Sequence, residues 1–256
     1  MAKKRCLIGG NWKCNGTVSQ IAGIVKTLNE GGAFPEQSEV VIAVPMLHIK
    51  YVQSILRNDI EVSAEDVGRN GMGAFTGEHS AEMLIDAGIK WTLTGHSERR
   101  VGFGQSGESS QIVADKTAAA LKAGLSVIVC IGEQLAERES GKTMDVCQAQ
   151  LEPVLAAISA EAWQKVVIAY EPVWAIGTGK VATPEQAEET HKCIREFLTE
   201  KLSKEIADEL RIIYGGSVSG ASCAGLISCP NIDGFLVGGA SLKPEFINII
   251  KCTNSK

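Results

Sequence analysis

No C-x-x-C pair occurs among the eight cysteines of this chain, and no two of its four histidines stand at metal-ligand spacing. A zinc ribbon, a thioredoxin-like centre and a histidine metal site therefore have no sequence support, and no metal is expected. Basic residues form no block. The 25 lysines and arginines are outweighed by 30 acidic residues, a net charge of −5, which argues against nucleic acid as a partner. No apolar run reaches membrane-spanning length, so no membrane partner is expected. The opening MAKKRCLIGGNWK has basic residues but no apolar stretch behind them, unlike a secretory signal, and the closing CTNSK matches no sorting address. These readings place the chain in the cytoplasm, with its thiols reduced. Prolines number seven, and no Pro- or Ser-rich linker interrupts the sequence, so one domain over residues 1–256 is expected.

What is present is a large apolar complement, 45% of 256 residues, in a repeating arrangement. Short β-branched runs fall at 6–8, 40–44, 60–64, 91–94, 126–131, 166–170, 211–214 and 234–237. They are continuously apolar rather than alternating, the pattern of parallel strands covered on both faces. Between them lie segments with helical spacing. One carries Ile194, Phe197, Leu198 and Leu202 on a single stripe, behind a Thr183 cap, an N1 Pro184 and an early Glu185. Eight strand–helix units fit an α/β closed eight-stranded parallel barrel, a (β/α)8 fold. A doubly wound open sheet is the alternative.

In such a barrel chemistry gathers at the C-terminal ends of the strands. There the sequence places Gly9-Gly10-Asn11-Trp12-Lys13, then Gly95-His96-Ser97-Glu98, then Glu171, then Gly215-Gly216-Ser217, then Gly238-Gly239. A carboxylate, an imidazole, an amine and an amide would thus share one rim. Glu171 is suited to removing a proton α to a carbonyl, although a strand-end acid can equally cap a neighbouring helix. His96 at a helix start suits a neutral hydrogen-bond donor, although a lone histidine is more often structural, and His48, His79 and His191 are expected to be structural or on the surface. Glycine pairs let backbone N–H groups approach a phosphate, or simply make tight turns.

Taken together, GGNWK at 9–13, TGHSERR at 94–100, AYEPVWAIGTGK at 169–180, IYGGS at 213–217 and DGFLVGGASLKPEF at 233–246 resemble the triosephosphate isomerase family, in order and over nearly the whole chain. The resemblance implies interconversion of dihydroxyacetone phosphate and D-glyceraldehyde 3-phosphate through an enediolate, without a cofactor, in glycolysis and gluconeogenesis. It implies Glu171 as the base, His96 as the electrophile, and Lys13 and Asn11 as catalytic and substrate-binding groups. Glu98 would pair with Lys13. Gly177, Ser217, Gly238 and Gly239 would hold the phosphate. A Schiff-base aldolase with Lys13 as nucleophile, and a scaffold that merely keeps the fold, are the rival readings.

Residues 172–182 read as a lid, a rigid Pro172-Val173-Trp174 hinge before a glycine-rich tip. The resemblance implies that Tyr214 and Ser217 latch it, that Glu133 contacts Trp174, and that Ile176 and Leu236 press on Glu171 and keep it dry. Residues 65–79, a long loop bearing the apolar Met72 and Phe75, suggest an interface, and the resemblance implies that this is the loop of a homodimer in which Thr76 braces the partner's Asn11, with Cys14 near the interface. The sequence departs from the family pattern at Gln105-Ser106-Gly107 and His79-Ser80-Ala81, which bears on that interface rather than on the chemistry. Gly102–Gly107 spells G-x-G-x-x-G but does not directly follow a strand, and Gly177-Thr178-Gly179-Lys180 lacks the rest of a P-loop, so neither is a nucleotide site.

Overall fold

A computed structural model describes residues 4–104, 106–176 and 182–256. Eight parallel strands close into a barrel in sequence order: β1 Cys6–Asn11, β2 Ser38–Val44, β3 Ile60–Ala64, β4 Trp91–Thr94, β5 Ser126–Ile131, β6 Val166–Tyr170, β7 Arg211–Tyr214 and β8 Gly234–Val237, with β1 paired to both β2 and β8. The strands are buried on both faces, which is why their sequences do not alternate. One apolar set, including Leu7, Val41, Leu93, Ile128, Val167, Ile213 and Leu236, fills the barrel. A second, including Ile8, Ile42, Val129, Ile168 and Phe235, packs against the helical ring.

The period of two along each strand aims the site. On β1 the inward residue Leu7 is followed two steps on by Gly9 and then Asn11. On β6 Val167 and Ala169 point inward, and Glu171 is the next step. Asn11 and Glu171 are therefore continuations of the interior ladder at the rim, both nearly inaccessible to solvent.

β1 runs three residues beyond the expected 6–8, so Gly9 and Gly10 lie inside a strand rather than in a turn after it. Packing explains their presence. A Cβ on Gly9 would stand 2.9 Å from Leu236 Cδ1, and one on Gly10 would stand 3.0 Å from Ser241 Cβ. The helix Pro184–Lys201 has the anticipated start: the Thr183 side chain accepts from Gln186 N, with Pro184 in the first turn. It buries Ile194, Phe197 and Leu198, and Leu202 falls just past its end. No described helix is long and apolar enough to cross a membrane.

Candidate active site

At the C-terminal rim a cavity of about 400 Å³ is bordered by Asn11, Lys13, His96 and Glu171. Gly215, Gly216, Ser217, Gly238 and Gly239 also line it, and Ile176 and Leu236 form apolar wall. Every site residue expected from the sequence converges here except Gly177. That residue, the rest of the lid tip through position 181, and Gln105 lie outside the described residues.

Lys13 reaches the cavity through a strained turn. Its φ is +55°, in the left-handed region that side-chain-bearing residues seldom occupy. Its N–H donates to Asn11 Oδ1 at 3.2 Å, and its carbonyl accepts from Asn15 N at 2.9 Å. Backbone strain of this kind concentrates where function fixes a side chain's direction. Lys13 Nζ donates to Glu98 Oε1 at 2.6 Å, the anticipated pair. An ammonium held by a carboxylate is not the free amine that a Schiff base needs.

His96 is the N-cap of the short helix Ser97–Val101. Its Nδ1 accepts from Glu98 N at 3.2 Å, which leaves the ring proton on Nε2, 3.0 Å from Glu171 Oε1. Burial disfavours a charge on this ring, yet the facing Glu171 carboxylate outweighs it and lifts the His96 pKa above the ordinary histidine value. The second oxygen of Glu171 accepts from Ser97 N at 3.0 Å. The sequence reading missed Ser97. Its signal was the helix start itself, whose first N–H groups lack intrahelical acceptors.

Glycine permits the placement of Glu171. Gly132, just past β5, has φ +159°, and a Cβ there would lie 1.7 Å from Glu171 O. The Glu171 backbone therefore occupies the volume of a missing side chain. A Cβ on Gly238 would sit 3.7 Å from Lys13 Cε and one on Gly239 would meet nothing within 4 Å, so main chain lines that part of the cavity at close range to the ammonium.

Behind Glu171, Glu133 is fully buried. It accepts from Tyr170 Oη at 3.0 and 3.1 Å, from Trp174 Nε1 at 2.9 Å and from Thr143 Oγ1 at 3.4 Å. The expected Trp174 contact is present, with Tyr170 added. Ser217 Oγ donates to Ala175 O at 2.7 Å, tying the segment after β7 to the one after β6. Tyr214 Oη is buried and makes no hydrogen bond among the described residues; the Ala182 backbone lies close enough to act on it, and burial pushes its pKa up to about 12. Among the described residues no group of three or more His, Cys, Asp or Glu could hold a metal ion. Gly102–Gly107 follows a helix, not a strand, with Gly102 as that helix's left-handed C-cap.

A sequence profile described as triosephosphate isomerase matches residues 6–253. The chain belongs to the triosephosphate isomerase family. The cytosolic triosephosphate isomerase of Oryza sativa subsp. japonica is 53% identical over 254 residues, 99% of this chain and 98% of the relative. That of Taenia solium is 50% identical over 248 residues, 96% of this chain and 98% of the relative. The chloroplastic triosephosphate isomerase of Fragaria ananassa is 51% identical over 250 residues, 97% of this chain and 78% of the relative. Like the other triosephosphate isomerases, this chain is an aldose–ketose isomerase that interconverts dihydroxyacetone phosphate and D-glyceraldehyde 3-phosphate, a step of glycolysis.

Proposed function

We propose that Glu171 is the base of the isomerisation and His96 its electrophile, with Lys13 and Asn11 stabilising the enediolate oxygens. Ser217, Gly238 and Gly239, joined by Gly177, would hold the substrate phosphate through main-chain N–H groups. The observation that carries the reading is the shared cavity: one buried carboxylate faces an Nε2–H donor on one side and an ammonium across the same space.

The geometry supports the following steps. A bound triose phosphate separates Glu171 from His96, and the carboxylate takes the proton from one carbon and returns it to its neighbour. With the carboxylate turned to substrate, the attraction that lifted the His96 pKa is lost. Burial and the helix N-terminus then favour the neutral ring, which donates Nε2–H to the substrate carbonyl. Lys13 offsets charge that builds on oxygen as the proton leaves carbon. Ile176 and Leu236 bring apolar surface to the cavity wall, where excluding water strengthens each of these interactions.

Turnover by Glu171→Gln tests the assignment. A fall in kcat of roughly 100-fold or more is expected for loss of a positioned base, and a parental rate would remove it.

A homodimer is also proposed, through the loop 65–79. Met72 is 74% and Phe75 44% exposed, and Phe103 and Leu47 are exposed nearby. A second cavity, of about 320 Å³, opens between Lys13, Cys14, Glu65, His79 and Phe103, and would receive the loop of a second copy. Light scattering of the parent and Phe75→Asp is expected to give a dimer and a monomer; a monomeric parent would refute it. The cytoplasm is the proposed compartment. Its support is that the cysteines are unbridged and that the rice relative bears the word cytosolic. A fluorescent fusion that collects in an organelle would oppose it.

A further inference from the structure

The helix Ser97–Val101 carries two adjacent arginines with contrasting surroundings. Arg99 pairs with Asp66 at 2.9 Å and Glu108 at 2.6 Å. Arg100 points inward and has no carboxylate within ion-pair distance among the described residues. Its donors go to neutral oxygens: Nε to Gly95 O at 2.8 Å, Nη2 to Cys130 O at 2.9 Å and Nη1 to Ser110 Oγ at 3.3 Å. Burying a guanidinium against carbonyls alone is costly, and here that burial holds its pKa below the ordinary arginine value. A neutral amide could make some of these bonds without that penalty.

The location gives the charge a purpose. Gly95 directly follows β4 and Cys130 lies near the end of β5, so the fork joins two neighbouring strand ends just beneath His96. Gly95 has φ +68°, and a Cβ there would stand 2.8 Å from Arg100 Nη2, so the backbone leaves room for the fork. Arg100, Ser97, Gly132 and Glu171 border one small cavity of about 160 Å³, across which the charges of Arg100 and Glu171 interact.

We propose that Arg100 is a positioning residue for the isomerisation: it clamps the ends of β4 and β5 so that the helix start presents His96 and Ser97 N–H, and it sets a fixed positive charge behind Glu171. The clamp holds the donor side of the site in register. The charge attracts the Glu171 carboxylate from behind. Because it lies behind the base rather than in the substrate cavity, it acts on the base rather than on substrate binding.

This rests on Glu171 being the base, so Glu171→Gln is measured alongside. Arg100→Lys and Arg100→Gln are compared with the parent for kcat, KM and the pH dependence of kcat/KM, with folding followed by circular dichroism. Arg100→Lys keeps charge and loses the fork; kcat is expected to fall roughly 10- to 100-fold with KM little changed and the acid limb in place. Arg100→Gln is expected to lower kcat further and move the acid limb to higher pH. A folded variant with parental kcat and only a lower melting temperature overturns the proposal, as does a loss carried by KM alone. If Arg100→Gln does not fold, the split between kcat and KM in Arg100→Lys decides. An active Glu171→Gln would instead strike the base assignment, whereas an inactive one beside fully active Arg100 variants would strike Arg100 alone.

Discussion

His191 makes acid sensitivity calculable. Its ring is fully buried in the helix Pro184–Lys201, edge-on to Tyr170 with centroids 5.7 Å apart and tilted against Tyr214 at 6.1 Å. Nδ1 donates to Asn231 O at 3.2 Å, and Nε2 has no partner among the described residues. Burial pushes the pKa down to about 4; the carbonyl contact and Asp233 oppose this, and Arg195 adds to it. Between the ordinary value of 6.5 and about 4, the unfolded chain binds a proton that the folded chain refuses. Stability therefore falls as pH drops through that window and levels off below it. At roughly 1.4 kcal/mol per pH unit, the gap corresponds to about 3 kcal/mol. His191→Asn removes the titration and keeps a donor for Asn231 O. At pH 7.5 it should be less stable than the parent by about 1–3 kcal/mol, because the ring's packing is lost. Urea unfolding at pH 7.5 and 4.5 reads the difference between the two proteins, which cancels other titrating groups. The variant's deficit should shrink or reverse at pH 4.5. Parallel losses in parent and variant would refute the reasoning.

Gly132→Ala forces a Cβ into the Glu171 carbonyl, so kcat should drop roughly 100-fold if the backbone shifts by about 1 Å, measured by steady-state turnover. Trp174→Phe removes one of the donors to Glu133, about 1.5–3 kcal/mol for a bond to a charged acceptor; urea unfolding should show a loss of that order, and an unchanged midpoint would count against the contact. Burial pushes the Glu65 carboxyl up to about 8, so the folded chain holds a proton that the unfolded chain releases near 4.5. Stability then declines as pH rises between those values, and Glu65→Gln should gain on the parent in melting temperature from pH 5 to 8. Cys14, exposed in the single chain and bordering the proposed interface cavity, should make the dimer sensitive to thiol reagents, and Cys14→Ala should lose most of that sensitivity in a light-scattering assay.

The strands were readable because parallel barrel strands are apolar on both faces, and six of the eight match their expected limits. β1 was cut short because glycines carry no strand propensity, and only the tertiary approach of Leu236 and Ser241 shows why Gly9 and Gly10 belong in it. The residue types proposed for catalysis were legible at strand ends, since there an apolar ladder gives way to a polar side chain on the same face. Their environment was not. His191 was expected to be structural or on the surface, and nothing local marks it as fully buried between two tyrosine rings. Gly132 reads as an ordinary loop glycine until the Glu171 backbone is placed against it. The acceptors of Arg100 come from three separate segments, which no spacing rule connects.

With Lys13 in its proposed role, the left-handed turn there sets stability and function against each other. Asparagine tolerates that backbone better than lysine does, and the half-exposed pair with Glu98 contributes at most about 1 kcal/mol in return. A library selected for thermal resistance alone would drift away from lysine at this position, and one selected for turnover would restore it. A lysine in so uncomfortable a conformation is thus the choice that the proposed chemistry favours and the fold alone does not.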